Sequence, residues 1–155
     1  MNINFHLCQM NRGPLATIRN FNPKDINQIT EIEEQVFPKT AYSKRTFLHY
    51  GSNFPDTFCV VESQDEIVGY IIFDEGGHIH STAVKRTYRM KGFGRILFMH
   101  AKKYSQERLW LEVRSKNSEA IAFYKSLGMK IIGKISNYYG SDDALIMVMD
   151  QKQLD

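Results

Sequence analysis

The stretch Val84-Lys-Arg-Thr-Tyr-Arg89-Met-Lys-Gly92-Phe-Gly94-Arg95-Ile-Leu constrains the fold most, because it reads as a strand that ends in a glycine-containing turn and opens directly into a helix. Such a unit delivers the chain to a second strand, here Leu109-Trp-Leu-Glu-Val113, that runs parallel to the first with a right-handed crossover. The turn is suited to phosphate. Without side chains at Gly92 and Gly94 the backbone can curl tightly and its N–H groups can converge, while the first helical turn leaves unpaired donors and a partial positive charge. Arg89, Lys91 and Arg95 add full charge around it. A two-glycine loop is equally consistent with a plain strand-to-helix connection, so the surrounding residues have to decide.

At 155 residues the chain is expected to form a single domain over residues 15–155, with residues 1–14 as an N-terminal extension, and to need no metal or disulfide staple. Cys8 and Cys59 are read as free thiols in a reducing, intracellular setting. No apolar run is long enough to span a bilayer, and the opening residues lack a basic start and hydrophobic stretch, so a soluble, cytoplasmic protein with no membrane partner is expected. The formal charge is +3, from 20 Lys and Arg against 17 Asp and Glu. With the basic residues gathered near positions 85–95 and at Lys102 and Lys103, this suits a small anionic ligand and not a nucleic-acid duplex.

Along the chain, residues 15–19 form a short strand. Asn22-Pro23 caps a helix marked by Ile26, Ile29, Ile32, Glu33 and Val36, and Ser43 caps a second. Residues 58–61 and 67–73 make a hairpin across the turn 63–66, and residues 78–84 form the strand that enters the glycine turn. In the next helix Phe93, Ile96, Leu97, His100, Ala101 and Tyr104 share one face. After residues 109–113, Asn117 or Ser118 caps a helix that Gly128 ends in the left-handed conformation, and two strands around the loop 137–143 close the chain. The order β-α-α-β-β-β-α-β-α-β-β predicts one mixed α/β sheet with helices on both faces.

Leu109, Leu111 and Val113 share a strand face, which puts Glu112 on the other with Trp110 and Arg114. A carboxylate there is either a solvated or Arg114-paired residue or a general base whose proton affinity burial has raised. Tyr124 belongs to a helical stripe with Ala120 and Leu127. It is a core aromatic unless its hydroxyl meets a leaving group, in which case it is a general acid.

Arg89-Met-Lys-Gly92-Phe-Gly94 resembles the R/Q-x-x-G-x-G/A acyl-CoA signature of the GNAT acetyltransferase superfamily. Residues 111–117 and 123–129 resemble the RimI and archaeal Ard-type N-terminal protein acetyltransferases, and the likeness extends over residues 15–150. The resemblance implies a mostly antiparallel central sheet with a splayed parallel strand pair, and acetyl-CoA lying in the gap. Backbone groups of Thr82, Ala83 and Val84 would pair with the pantetheine arm, and those of Met90, Lys91, Gly92, Phe93, Gly94 and Arg95 would hold the pyrophosphate. Arg89 would add charge, and Asn117 would touch the cofactor as well as cap its helix. Glu112 would take the amine proton, through a water, N–H groups around Ala83 would stabilise the oxyanion, and Tyr124 would protonate the departing thiolate without a metal or covalent intermediate. His78 and His80 face one side of the cofactor strand, as proton-transfer assistants or as structural histidines.

In the resembling enzymes a peptide N-terminus enters between two loops, represented here by Phe37, Pro38 and Tyr42 and by Tyr138 and Tyr139. Where the eukaryotic Ard-type subunit has a glutamate after the loop proline, this chain has Lys39, and Ser, Ala or Met N-termini are expected. Nascent chains at the ribosome are candidate partners of a monomer or weak dimer. Two other readings keep the cofactor: transfer to lysine side chains or small amines, and a non-catalytic acyl-CoA-binding module.

Overall fold

The computed structural model describes residues 6–8, 15–105 and 108–149. β2 (Ala16–Asn20) runs into a reciprocal cap, in which Asn22 Oδ1 accepts from Lys24 N at 3.0 Å and Asp25 Oδ2 accepts from Asn22 N at 2.8 Å. The pair satisfies donors that a helix start leaves free, and Pro23 supplies the preset φ, so α1 (Ile26–Val36) follows after one 3-10 turn. Arg19 of β2 ties this start to the sheet, bonding Asp25 and Glu62 at 2.7 Å each. α2 (Lys44–Asn53) is capped as expected by Ser43, whose Oγ accepts from Thr46 N.

β3 (Phe58–Ser63) and β4 (Glu66–Phe73) form the expected hairpin, with Gln64 and Asp65 both left-handed at φ 53° and 62°. Two left-handed residues are what a two-residue hairpin turn needs to match the strand twist. β5 (Ile79–Val84) pairs antiparallel with β4, and α3 (Phe93–Ser105) leads to β6 (Leu109–Arg114). Asn117 caps α4 (Ser118–Ser126), and Gly128 closes it at φ +96°, followed by β7 (Lys130–Ile135) and β8 (Ala144–Met149). A strand the sequence did not suggest, β1 (His6–Cys8), pairs antiparallel with β2. The rest of residues 1–14, and the Cys8 side chain, lie outside the described residues.

The expected single mixed sheet is two antiparallel sheets, ordered β1-β2-β3-β4-β5 and β6-β8-β7. One parallel bridge, His78 to Trp110, joins them, with Trp110 N donating to Gly77 O at 2.9 Å. Past that bridge β5 stays with β4 and β6 with β8, so the two parallel strands part and their facing edges keep unpaired backbone groups.

Successive residues of the central strands feed opposite cores. Val61, Ile71 and Phe73 pack with Phe93, Leu97 and Phe98 on one side, while Val60, Tyr70 and Ile72 pack with Ile29, Ile32 and Phe47 on the other. Each such side chain contributes roughly 1.5–3 kcal/mol on burial, which makes this two-sided arrangement the main source of stability. α3 departs from the expected stripe. Phe98 is fully buried against Phe123 and Tyr124 of α4, whereas Tyr104 is 43% exposed, because the helix is covered by α4 as well as by the sheet. Cys59 is a buried free thiol.

Candidate active site

Burial of Leu109, Leu111 and Val113 turns Glu112 to the opposite face of β6, where its Oε2 lies 2.7 Å from His78 Nε2. The His78 ring stacks on Trp110 at 3.9 Å and 11°, so the residues that bridge the two sheets also lock the imidazole. His80 shares that side, 4.4 Å from His78 ring to ring, but its Nε2 lies 3.0 Å from Asp74 Oδ2. The two histidines therefore face one way and both approach Asp74 Oδ2, while His78 also meets Glu112. A carboxylate and an imidazole joined at the point where the strands part can take up a proton at one atom and release it from another.

The two glycines of the turn serve different physical needs. Gly92 is left-handed at φ +90° and its carbonyl accepts from Ile96 N at 3.1 Å, placing it at the start of α3. Gly94 is a close-approach site, where an added Cβ would lie 2.3 Å from the Phe123 ring of α4. Met90 is also left-handed, at φ 62°, with a fully exposed side chain. The charges around the turn are less free than the sequence suggests. Arg89 is paired with Glu119 of α4 and Lys91 Nζ sits 5.3 Å above the Tyr88 ring, which leaves Arg95 exposed at the turn. The Phe93 ring belongs to the core, so only its backbone faces the turn. Asn117 caps α4 through Oδ1, which accepts from Ala120 N at 3.1 Å.

The expected strand contribution of Thr82, Ala83 and Val84 narrows. Lys85 N donates to Val68 O of β4 at 2.7 Å, so by strand alternation Ala83 also turns its backbone to β4, and Thr82 and Val84 turn theirs to the gap. Ala83, expected to offer its N–H to cofactor or oxyanion, has that N–H turned away from the gap. The Thr82 side chain is held by donation from Oγ1 to Tyr70 O at 3.0 Å.

Tyr124 packs against Phe98 at 5.8 Å, and burial, followed by the influence of Tyr139, pushes its hydroxyl up to about 12. It stays protonated at neutral pH and can only donate or share that proton. Tyr139 is the point of convergence. Its own hydroxyl is raised by burial first and by Glu112 next, while Tyr42 and Tyr124 both feel its charge. Arg114 lies 4.2 Å over the Tyr139 ring and Tyr138, half exposed, meets it edge-on at 4.8 Å. The loop is pinned to the end of β6, with Ser115 Oγ donating to Asp142 at 2.7 Å and Asn137 N donating to Asp143 at 2.8 Å. On the other side Phe37 and Tyr42 pack on the core beneath α1 and α2, while Pro38 and Lys39 stay exposed.

The chain that carries a glycine turn opening α3, a gap between β5 and β6, and a carboxylate–imidazole pair at its vertex is similar to known proteins in sequence and fold. A model of the acetyltransferase (GNAT) family fits residues 26–129. The chain belongs to the GNAT acetyltransferase family. An N-alpha-acetyltransferase of Sulfurisphaera tokodaii is 31% identical, with 90% of this chain and 96% of that one covered. The crystal structure of Ard1 from Thermoplasma volcanium superposes with a TM-score of 0.74 at 31% identity, covering 86% of this chain and 95% of the other. Naa20 of Chaetomium thermophilum, solved with a bisubstrate analogue, also reaches 0.74, at 28% identity over 88% of this chain and 87% of that one.

This GNAT domain holds further site residues that sequence reasoning missed. Glu33 of α1 is 2% exposed, accepts from the Tyr70 hydroxyl and accepts from Tyr42 N at 3.2 Å, while Tyr70 OH lies 2.8 Å from Ser81 Oγ of β5. Burial raises the Glu33 carboxyl, opposed by the Tyr70 hydroxyl and the Tyr42 N–H. This chain of hydrogen bonds connects the α1–α2 loop to the strand that borders the gap. The sequence did carry its signal, an acidic residue inside an apolar helical stripe. The stacking role of Trp110 had no comparable sequence signal, because its partner His78 lies far along the chain; Asp74 sits close in sequence to Gly76, His78 and His80, which it contacts, and was overlooked as part of the turn.

Proposed function

We propose that this GNAT domain transfers acetyl from acetyl-CoA to the α-amine of polypeptide N-termini. The single observation that carries the reading is the 2.7 Å contact between Glu112 and His78 where β5 and β6 separate. The Gly92 turn and the N-terminus of α3 receive the pyrophosphate through backbone N–H groups of residues 90–95, and Thr82 and Val84 receive the pantetheine arm as an added strand edge. The thioester carbonyl then lies near the vertex of the gap.

The incoming α-ammonium has an ordinary pKa of about 8, so little driving force is needed to remove its proton at neutral pH. Glu112 and His78 accept that proton and pass it to solvent. The amine nitrogen forms a bond to the acetyl carbon and gives up a second proton, the carbon–sulfur bond breaks, and Tyr124 donates its proton to the departing thiolate and is reprotonated by the one that nitrogen released. Tyr42, Tyr138 and Tyr139 border the amine's route, their rings enclosing the first side chain and their hydroxyls bonding peptide backbone. Ser, Ala and Met N-termini, presented by nascent chains in the cytoplasm to a monomeric or weakly dimeric enzyme, are the substrates this arrangement fits. No helix among the described residues is long and apolar enough to cross a membrane.

Incubating the protein with acetyl-CoA and a peptide library, and locating the acetyl group by mass spectrometry, tests the proposal. Labelling confined to α-amines is the expected result. Labelling of lysine side chains or small amines alone, or tight CoA binding with no turnover, overturns it.

A further inference from the structure

The geometry points to a site for a divalent transition-metal ion of the zinc class, built from Asp74, His78 and His80. One ligand atom from each residue falls within 4.8 Å of the other two, and no other such group occurs among the described residues. His80 Nε2 is 3.0 Å and His78 Nδ1 4.0 Å from Asp74 Oδ2. Two ligands held at 2.0–2.1 Å in a tetrahedral shell stand about 3.4 Å apart, so the observed spacings bracket what an ion would draw together.

Each ligand is already oriented by other contacts. Asp74 Oδ1 accepts from Gly76 N at 3.0 Å and from His78 N at 3.1 Å, which aims Oδ2 at the two imidazoles. His78 is stacked on Trp110, and His80 lies between Tyr50 and Phe54 at 5.9 and 5.0 Å. His78 also has the outer partner that metal-bound imidazoles require, since its Nε2 meets Glu112 at 2.7 Å. Asp74 also lines a cavity of about 540 Å³ together with Asp56 and Glu75, and three carboxylates on one side of the cluster attract cations.

The test uses the full chain freed of metal by chelation and contains no CoA. Zinc titrated against a chromophoric chelator should show one ion per chain. Cobalt(II) should give the visible absorption of a tetrahedral complex with nitrogen and oxygen ligands and no thiolate charge-transfer band, which excludes Cys8 and Cys59. Asp74→Asn and His80→Gln, each checked for an unchanged circular dichroism spectrum, should weaken zinc by more than about tenfold. Failure of the parent chain to bind zinc or cobalt, or binding that both variants leave intact, overturns the site. Binding as expected in a chain that acetylates no amine leaves the site standing and removes the functional reading.

Discussion

Replacing Gly92 by alanine isolates the cost of the phosphate turn. Gly92 sits at φ +90°, and a side chain in that region costs about 1–2 kcal/mol. Its carbonyl also starts the α3 hydrogen-bond ladder through Ile96 N, so the residue cannot leave that conformation without disturbing the helix start. The cost must therefore appear in one of two places. If the turn holds its shape, the folded state bears the strain and the melting temperature falls by roughly 2–8 °C for a chain of this size. If the turn relaxes, its N–H groups no longer converge and CoA affinity falls by roughly 5- to 30-fold. Calorimetric titration with CoA and a thermal melt of the same sample give both numbers. Gly140 is the control. It is left-handed at φ +78° with open space around it, so Gly140→Ala carries a similar strain far from the turn and should lower the melting temperature without altering CoA affinity. A Gly92→Ala protein with both quantities unchanged, or a Gly140→Ala protein that loses CoA equally, would refute the reasoning.

Further outcomes follow from the same geometry. Glu112→Gln should lower kcat by about 10²–10⁴-fold while leaving CoA affinity intact, and steady-state kinetics that show full turnover would remove Glu112 from proton transfer. Glu33→Ala strands the Tyr42 N–H, at about 1–3 kcal/mol for the unpaired donor, and leaves the Tyr70 hydroxyl with Ser81 alone. It should lower the melting temperature and raise the peptide KM through the loosened α1–α2 loop; Glu33→Gln, which can refill part of the network, should recover most of both. Tyr124 has its hydroxyl raised from 10 to about 12, so the stability it contributes is fully present below pH 10 and is lost as pH rises through 12. Alkaline melts of Tyr124→Phe should lack that decline, and an identical alkaline profile in both proteins would place the phenol in a more ordinary setting.

The elements were legible from local sequence because their signals are local. Asn22-Pro23, Ser43, Asn117 and Gly128 begin and end helices where short-range capping chemistry says they should. Alternation along β6 separated Glu112 from Leu111 and Val113 without any knowledge of neighbours, and the glycine turn before α3 declared itself by residue type alone. The helical stripe of α3 was read less well, since a second covering helix widens a buried face and leaves no periodic mark of its own.

Contacts between distant segments depended on the tertiary structure. Strand alternation fixes which face a residue is on, but only packing decides which strand edge is already paired, and that took Ala83 out of the expected open edge and left Thr82 and Val84. Arg89 looked like a free charge until α4 supplied Glu119. The bond from Glu112 to His78 spans 34 residues and that from Glu33 to Tyr70 spans 37. The first is set by how two sheets meet at one bridge and the second by how α1 packs on β4, properties of the assembled fold that no window of sequence contains.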